Sequence, residues 1–255
     1  KHVISFVDMS TTQFFIGMAV FFLGAFIQSI TGFGMGLISI PLLLIAGFKL
    51  PIAVFLVVIA GSIQSAYNLL EHRDHIQLKP LLPIIMIRFA FMPLGLFVLT
   101  KFSSFDPVLV RQIMGGVLLV VLSAQFFLKV RPVEKVHWTW TLLAGSMSGF
   151  MGTAVGIGGP PLVLWCQAHN WSMNRYRTSI WAASITHSPF FLASFLFIYG
   201  GDFFSLAGIS LLLVPITLLG ASLGTRLSNN IQQVQLQNIV FLLLLATSLN
   251  FLLEP

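Results

Sequence analysis

The chain has 255 residues, of which 57% are apolar and 8% are charged. Soluble domains carry about a quarter charged residues, so this composition excludes a water-soluble globule and indicates that lipid surrounds most of the protein. The formal net charge of +6 does not indicate a nucleic-acid partner, because the 13 Lys and Arg residues are scattered without forming a basic stripe. The single cysteine, Cys166, excludes an intramolecular disulfide and a cysteine-cluster metal site, and we predict no cofactor.

Apolar segments separated by short polar loops cover almost the whole chain. Since a bilayer core of about 30 Å needs roughly 20 residues per spanning helix, the sequence predicts an all-α integral membrane protein without an appended soluble domain. No cleavable signal peptide is recognised, because the first ten residues include Asp8 and lead straight into a full-length apolar segment. In chain order the predicted apolar segments are residues 12–30, 37–48, 51–70, 80–100, 107–128, 138–153, 161–168, 178–199, 203–223 and 231–253.

The order of these segments indicates an internal duplication. A shift of 124 residues lays Gly32-Phe33-Gly34 on Gly156-Ile157-Gly158, and a shift of 125 lays Leu94-Gly95 on Leu219-Gly220. We therefore predict two related transmembrane repeats, residues 1–128 and 138–255, joined by a basic cytoplasmic linker, residues 129–137. Each repeat is expected to contain about four spanning helices plus a glycine-broken helix or hairpin.

Loop charge predicts that the two repeats are inverted. Placing the linker in the cytoplasm and treating each glycine patch as a hairpin gives eight basic residues inside and three outside, as the positive-inside rule requires. The same count gives each half an odd number of passes, which is the inverted-repeat arrangement of many secondary transporters. If either patch lies within one continuous span, this inference fails. The inner residues are Arg73, Lys79, Lys129, Arg131, Lys135, Arg175, Arg177 and Arg226, and the outer ones are Lys1, Lys49 and Lys101.

The two glycine patches, residues 28–36 and 149–161, have two interpretations. Glycines at helical spacing favour close helix packing, but the Gly-Gly-Pro-Pro run at 158–161 is incompatible with a continuous regular helix. A broken backbone at membrane depth is tolerated where protein buries it or where it lines a wet cavity. Free N–H groups at the start of a half-helix, together with its positive dipole end, form an anion site without any basic side chain.

The candidate substrate-binding residues lie at these breaks and in two apolar spans. His187 is either a neutral histidine hydrogen-bonded across helices or a group that coordinates the anion or takes up a proton. Arg88 either extends to the cytoplasmic interface or lines the anion path. The acidic residues lie in loops, at termini or at span ends, which disfavours cation substrates. The predicted site residues are Gln28, Ser29, Thr31, Gly32, Gly34, Gly152, Thr153, Gly156, Gly158, Gly159, His187 and Arg88.

The patches resemble those of the sulfite exporter TauE/SafE family of membrane permeases. The resemblance rests on Gly-Phe-Gly-Met-Gly-Leu-Ile-Ser-Ile-Pro at 32–41 and Gly-Ile-Gly-Gly-Pro-Pro at 156–161, and it extends over nearly the whole chain. Met35 and Pro160 stand where a further glycine is common in the family. The resemblance implies transport of a small sulfur-containing or organic anion such as sulfite, a sulfonate or sulfoacetate, without identifying which.

Together these patterns predict a secondary transporter, more specifically an exporter, that works by alternating access and holds its anion at the two breaks. A channel-like anion pore is the alternative. An intramembrane enzyme is disfavoured, because no carboxylate pair, metal-ligand spacing or convincing serine–base pair occurs. The expected surroundings are the lipid bilayer of a cell membrane, the bacterial inner membrane in particular, while a coupling proton or ion and a homodimer are left open.

Overall fold

The computed structural model describes residues 10–128, 130–228 and 233–253, and within these ranges the regular structure is helical without a β-strand. The predicted all-α fold is therefore confirmed. Two residues of the charge count, Lys1 and Lys129, lie outside the described residues, as do Asp8 and the start of the last predicted span. The helices are α1 (Thr11–Thr31), α2 (Met35–Ile45), α3 (Leu50–Glu71), α4 (Leu82–Phe102), α5 (Pro107–Phe127), α6 (Trp138–Ala154), α7 (Gly159–Gln167), α8 (Met173–Tyr199), α9 (Asp202–Leu227) and α10 (Gln233–Leu253).

Six helices in the described part of the chain are long and apolar enough to cross a bilayer, namely α1, α3, α4, α5, α8 and α9. The protein is therefore a multi-pass membrane protein. α2 and α7 are too short to span, with 11 and 9 residues. Each short helix begins within the last residues of a glycine patch, so the short helices occupy the same place in the two halves of the chain.

Glycines end the helix that precedes each patch. α1 ends at Gly32, whose φ of 89° is the left-handed conformation that side chains disfavour, and Gly34 has a φ of 123° before α2 begins. In the second patch Gly156 has a φ of 72°. Pro160 and Pro161 lie in the first turn of α7, where a missing N–H costs nothing, so the expected interruption falls at residues 155–158.

Both patches form the tips of helical hairpins. In the first hairpin, Gln13 near the start of α1 donates a 3.2 Å hydrogen bond to the carbonyl oxygen of Ala46, just after α2. In the second, the Trp165 indole near the end of α7 donates to Thr141 near the start of α6 over 2.9 Å. α2 therefore runs back along α1 and α7 runs back along α6, which is the condition on which the predicted inverted topology depended.

The helix packing links the two halves. α1 packs against α9, α6 against α4, α3 against α8 and α5 against α10. Exchanging α1–α5 with α6–α10 in order leaves this set of pairs unchanged. The two glycines matched in the sequence also have matching roles, because Gly95 of α4 faces the backbone of Phe150 in α6 and Gly220 of α9 faces the backbone of Phe22 in α1.

We predict that Gly220→Ala destabilises the protein, whereas Gly208→Ala does not. A Cβ at Gly220 would overlap the carbonyl oxygen of Phe22, while a Cβ at Gly208 of the same helix meets nothing within 4 Å. Thermal unfolding in detergent measures the difference. The Gly220→Ala midpoint should fall by several degrees, because overpacking costs about 1–3 kcal/mol and 1 kcal/mol corresponds to about 2–4 °C in a chain of this size. Equal midpoints for the two variants would contradict the described contact between α1 and α9.

Candidate functional site

A cavity of about 110 Å³ lies where the two hairpin tips meet. The tips touch directly, since a Cβ at Gly36 would overlap the carbonyl oxygen of Gly156. Helices α3, α4 and α8 complete the wall. Nine of the twelve predicted site residues line this central cavity: Gln28, Gly32, Gly34, Arg88, Gly152, Gly156, Gly158, Gly159 and His187.

Three predicted residues do not line the central cavity, because their hydroxyl groups are engaged elsewhere. The Ser29 hydroxyl accepts hydrogen bonds from the amides of Gln64 and Asn68 at 3.0 and 3.2 Å, inside the α1–α3 contact. Thr31 donates to the carbonyl oxygen of Ile27 at 2.9 Å, and Thr153 donates to that of Gly149 at 3.0 Å. These bonds return to the preceding helical turn, so the hydroxyl groups of Thr31 and Thr153 are satisfied within their own helices.

Arg88 is the one charged side chain among the described residues that line the central cavity. It is 6% exposed, and its Nη1 donates a 2.6 Å hydrogen bond to the carbonyl oxygen of Ala183 in α8. Its Nε is buried without a hydrogen-bond partner. The guanidinium group therefore points into the bundle and not to the interface, and no Asp or Glu of the described lining balances its charge.

His187 lies beside the second break. Its ring approaches Gly152 closely enough that a Cβ there would lie 3.4 Å from His187 Cε1. The ring is 7% exposed and stacks on Phe191 with centroids 5.9 Å apart. Neither ring nitrogen has a hydrogen-bond partner, so the cross-helix hydrogen bond considered from the sequence is absent from the described structure.

Hydroxyl groups that the sequence did not assign to the site line the cavity as well. Ser62 of α3 and Ser188 of α8 form a short hydrogen bond with each other, and Ser184 lies one turn before Ser188. In the sequence, Ser62, Gln64, Ser65 and Asn68 form a polar stripe along α3. This stripe held the signal for the hydroxyl groups, since Ser62 and Ser65 share a face and line the cavity. The other face of the stripe, with Gln64, packs against α1 and supports the fold.

Both short helices direct their amino ends at the cavity. In α2 the first N–H, that of Met35, donates to Gln28 Oε1 at 3.1 Å, which leaves the N–H groups of Gly36 and Leu37 for other acceptors. In α7 only Gly159 carries an N–H before the two prolines. Two positive dipole ends and one guanidinium group therefore surround the cavity, and this charge distribution favours an anion.

Metal ligation is not suggested by the described residues, since no three His, Cys, Asp or Glu side chains cluster among them. A cofactor-sized pocket would have about 300–1,000 Å³, well above the volume of the central cavity.

In a comparison with known protein families, the chain matches one family model. Residues 16–251 match the family model described as "Sulfite exporter TauE/SafE", which covers nearly the whole chain. No curated protein and no solved structure matches the chain significantly. The family match agrees with the resemblance recognised in the two glycine patches.

We predict that Gln28→Leu destabilises the first hairpin tip. Gln28 accepts from the first N–H of α2 and donates to Ser65 over 3.3 Å, and leucine can do neither. Removing a helix cap costs about 1 kcal/mol, so the thermal unfolding midpoint should fall by about 2–4 °C. Ser65→Ala, which removes only the longer bond, is the matched control and should have the smaller effect. An unchanged midpoint for Gln28→Leu would mean that this cap does not stabilise the first hairpin tip.

Proposed function

This chain belongs to the sulfite exporter TauE/SafE family, and on that premise we propose that it carries a small sulfur-containing or organic anion, such as sulfite, a sulfonate or sulfoacetate. The anion is held in the central cavity between the two hairpin tips. The observation that carries this proposal is Arg88, a buried guanidinium group for which the described cavity wall supplies no carboxylate.

Burial of a charge explains why an anion is needed. Moving a guanidinium group out of water costs several kcal/mol unless a counter-charge and further hydrogen bonds compensate for the lost hydration. Arg88 has a carbonyl oxygen on Nη1 but no described partner on Nε. A bound oxyanion would accept from this free edge, and planar two-point contact with oxyanions is the geometry that guanidinium groups favour.

Size and hydrogen bonding support a small oxyanion in particular. The cavity of about 110 Å³ is large enough for a sulfite ion or a short sulfonate group. The serine hydroxyls of α3 and α8 and the amino ends of α2 and α7 supply neutral donors around it. His187, with both ring nitrogens unpartnered, can accept or donate a hydrogen bond to the same ligand.

Alternating access is the proposed mechanism, in an arrangement of two inverted repeats. The hairpins meet tip to tip at the cavity, and the four main helix pairs are unchanged when the halves are exchanged. Two conformations related by this exchange would expose one cavity to opposite sides of the membrane. We place the chain in the bacterial inner membrane and assign export as the direction, with the anion arriving from the cytoplasm.

A channel-like pore would use the same cavity, and kinetics separates the two. Carrier flux saturates with anion concentration and shows counterflow, because each transported ion requires a conformational cycle. Flux that rises linearly with anion concentration and lacks counterflow would mean that the protein is a pore and not a carrier.

We predict that Arg88→Gln abolishes anion binding and flux, while Arg111→Gln preserves both. Arg111 is the matched control, since its Nη2 also bonds a carbonyl oxygen, that of Leu44, but the residue is not part of the described cavity wall. Flux into proteoliposomes and thermal stabilisation are measured with sulfite, thiosulfate, sulfoacetate, taurine, acetate, sulfate and choline at matched ionic strength.

For the anion that stabilises the wild type, affinity should fall by about 30-fold or more in Arg88→Gln, because removing one partner of a buried charge pair costs about 2–5 kcal/mol. The unfolding midpoint without ligand shows whether the variant is folded. Stabilisation by choline alone, or equal anion binding in the two variants, would overturn the proposed anion site.

A further inference from the structure

A second cavity, of about 280 Å³, lies beside the central one. Its wall is formed by the end of α1, the start of α2 and parts of α5, α7 and α10. α5 ends at Phe127, directly before the linker, and α7 ends at Gln167. The second cavity therefore lies at the end of the bundle that carries the linker, the end assigned to the cytoplasm in the proposed function.

The two cavities meet at the first hairpin tip. Phe33, Gly34 and Leu37 line both of them, so these residues form the partition between the cavities. Phe33 contributes the only large ring among the three. It lies outside the helices, between the left-handed Gly32 and Gly34, so its side chain can move without disturbing a regular turn of helix.

The wall of the second cavity offers neutral donors to an anion. Thr31, Gln125, Gln167 and Asn238 are its polar members, and the described lining contains no charged side chain. Gln125 Nε2 is buried without an acceptor, although buried amides are normally hydrogen-bonded. Gln167 and Asn238 are exposed at the mouth, while Thr31 is buried near the partition. The Thr31 hydroxyl proton is already donated to the carbonyl oxygen of Ile27, so the donors are the amides of Gln125, Gln167 and Asn238. Neutral amides bind an anion weakly enough to release it toward the guanidinium group of Arg88.

We propose that the second cavity is the antechamber through which the small anion reaches the central cavity, and that Phe33 is the side chain that closes the passage between them. The inference rests on the proposed anion transport and adds a route and a gate to it. Neither Thr31 nor Phe33 then needs to bind the anion tightly, since each acts on a passing ligand.

Thiol accessibility tests the route. Each reporter is a single cysteine in a Cys166→Ser background: Asn238→Cys in the second cavity and Ser184→Cys in the central one. The reagent is 2-sulfonatoethyl methanethiosulfonate, a membrane-impermeant anion. It is added to vesicles whose outer face carries the linker, as established by labelling of Lys135→Cys.

Asn238→Cys should react whether or not Phe33 is altered. Ser184→Cys should react slowly with Phe33 present and about tenfold faster or more in Phe33→Ala, since an open state populated at 10% or less becomes dominant. Phe33→Trp should slow the same reaction. Phe126→Ala is the matched control, because Phe126 lines only the second cavity and its loss should leave Ser184→Cys unchanged.

Two results would overturn the inference. An unreactive Asn238→Cys would mean that lipid and not water fills the second cavity. If the labelling rate of Ser184→Cys is the same in both Phe33 variants as with Phe33 present, Phe33 is not the gate. Anion flux measured in vesicles of the Cys166→Ser background, which keeps Ser184, distinguishes the failures. Flux with an unresponsive Ser184→Cys overturns the gate alone, whereas absent flux of every anion in the panel overturns the proposed function.

Discussion

The need to satisfy backbone polar groups inside a bilayer governs this structure. Hydrocarbon offers no hydrogen-bond partners, so a helix can be interrupted at depth only where protein or a polar cavity receives the freed groups. The chain has two such interruptions, and it brings them together at one place. Gln28 accepts one of the freed N–H groups, Ser148 donates to the carbonyl oxygen of Gly158, and the amino ends of the two short helices line the central cavity. The proposed binding site thus lies where the regular helical structure is interrupted.

A second constraint is the burial of a guanidinium group, which makes the electrostatic potential in the central cavity positive. The hairpin tips alone would present weak partial charges, and two of the possible donors in α7 are lost to proline. Arg88, which reaches the cavity from α4, adds a full charge that the described wall does not neutralise. The hairpins therefore supply geometry and neutral donors, and a single side chain from a different helix supplies most of the electrostatic attraction.

Segment positions and both interruptions could be predicted from the sequence, because hydropathy and the special backbone of glycine and proline act locally. The orientation of individual hydroxyl groups could not. Thr153 lies beside the second break in the sequence, yet its hydroxyl returns to Gly149 in its own helix. Likewise, the rotation of α3 that divides Ser62 from Gln64 is set by packing against α1 and α8. Phe33 is apolar, so there was no reason in the sequence to assign it to the site. Its place between the two cavities is visible only in the structure.

The exchange of packing partners between the halves also bears on assembly in the membrane. α1 is among the first helices to be synthesised, but its main neighbour, α9, is nearly the last. Until α9 arrives, the glycine-lined groove that it forms against Phe22 and Phe26 is missing, and one side of the first hairpin faces lipid or the insertion machinery. The first half can therefore insert early, but its packing is completed only by the second half. The packing around the first hairpin, which forms one side of the central cavity, is therefore completed only after α9 has been made.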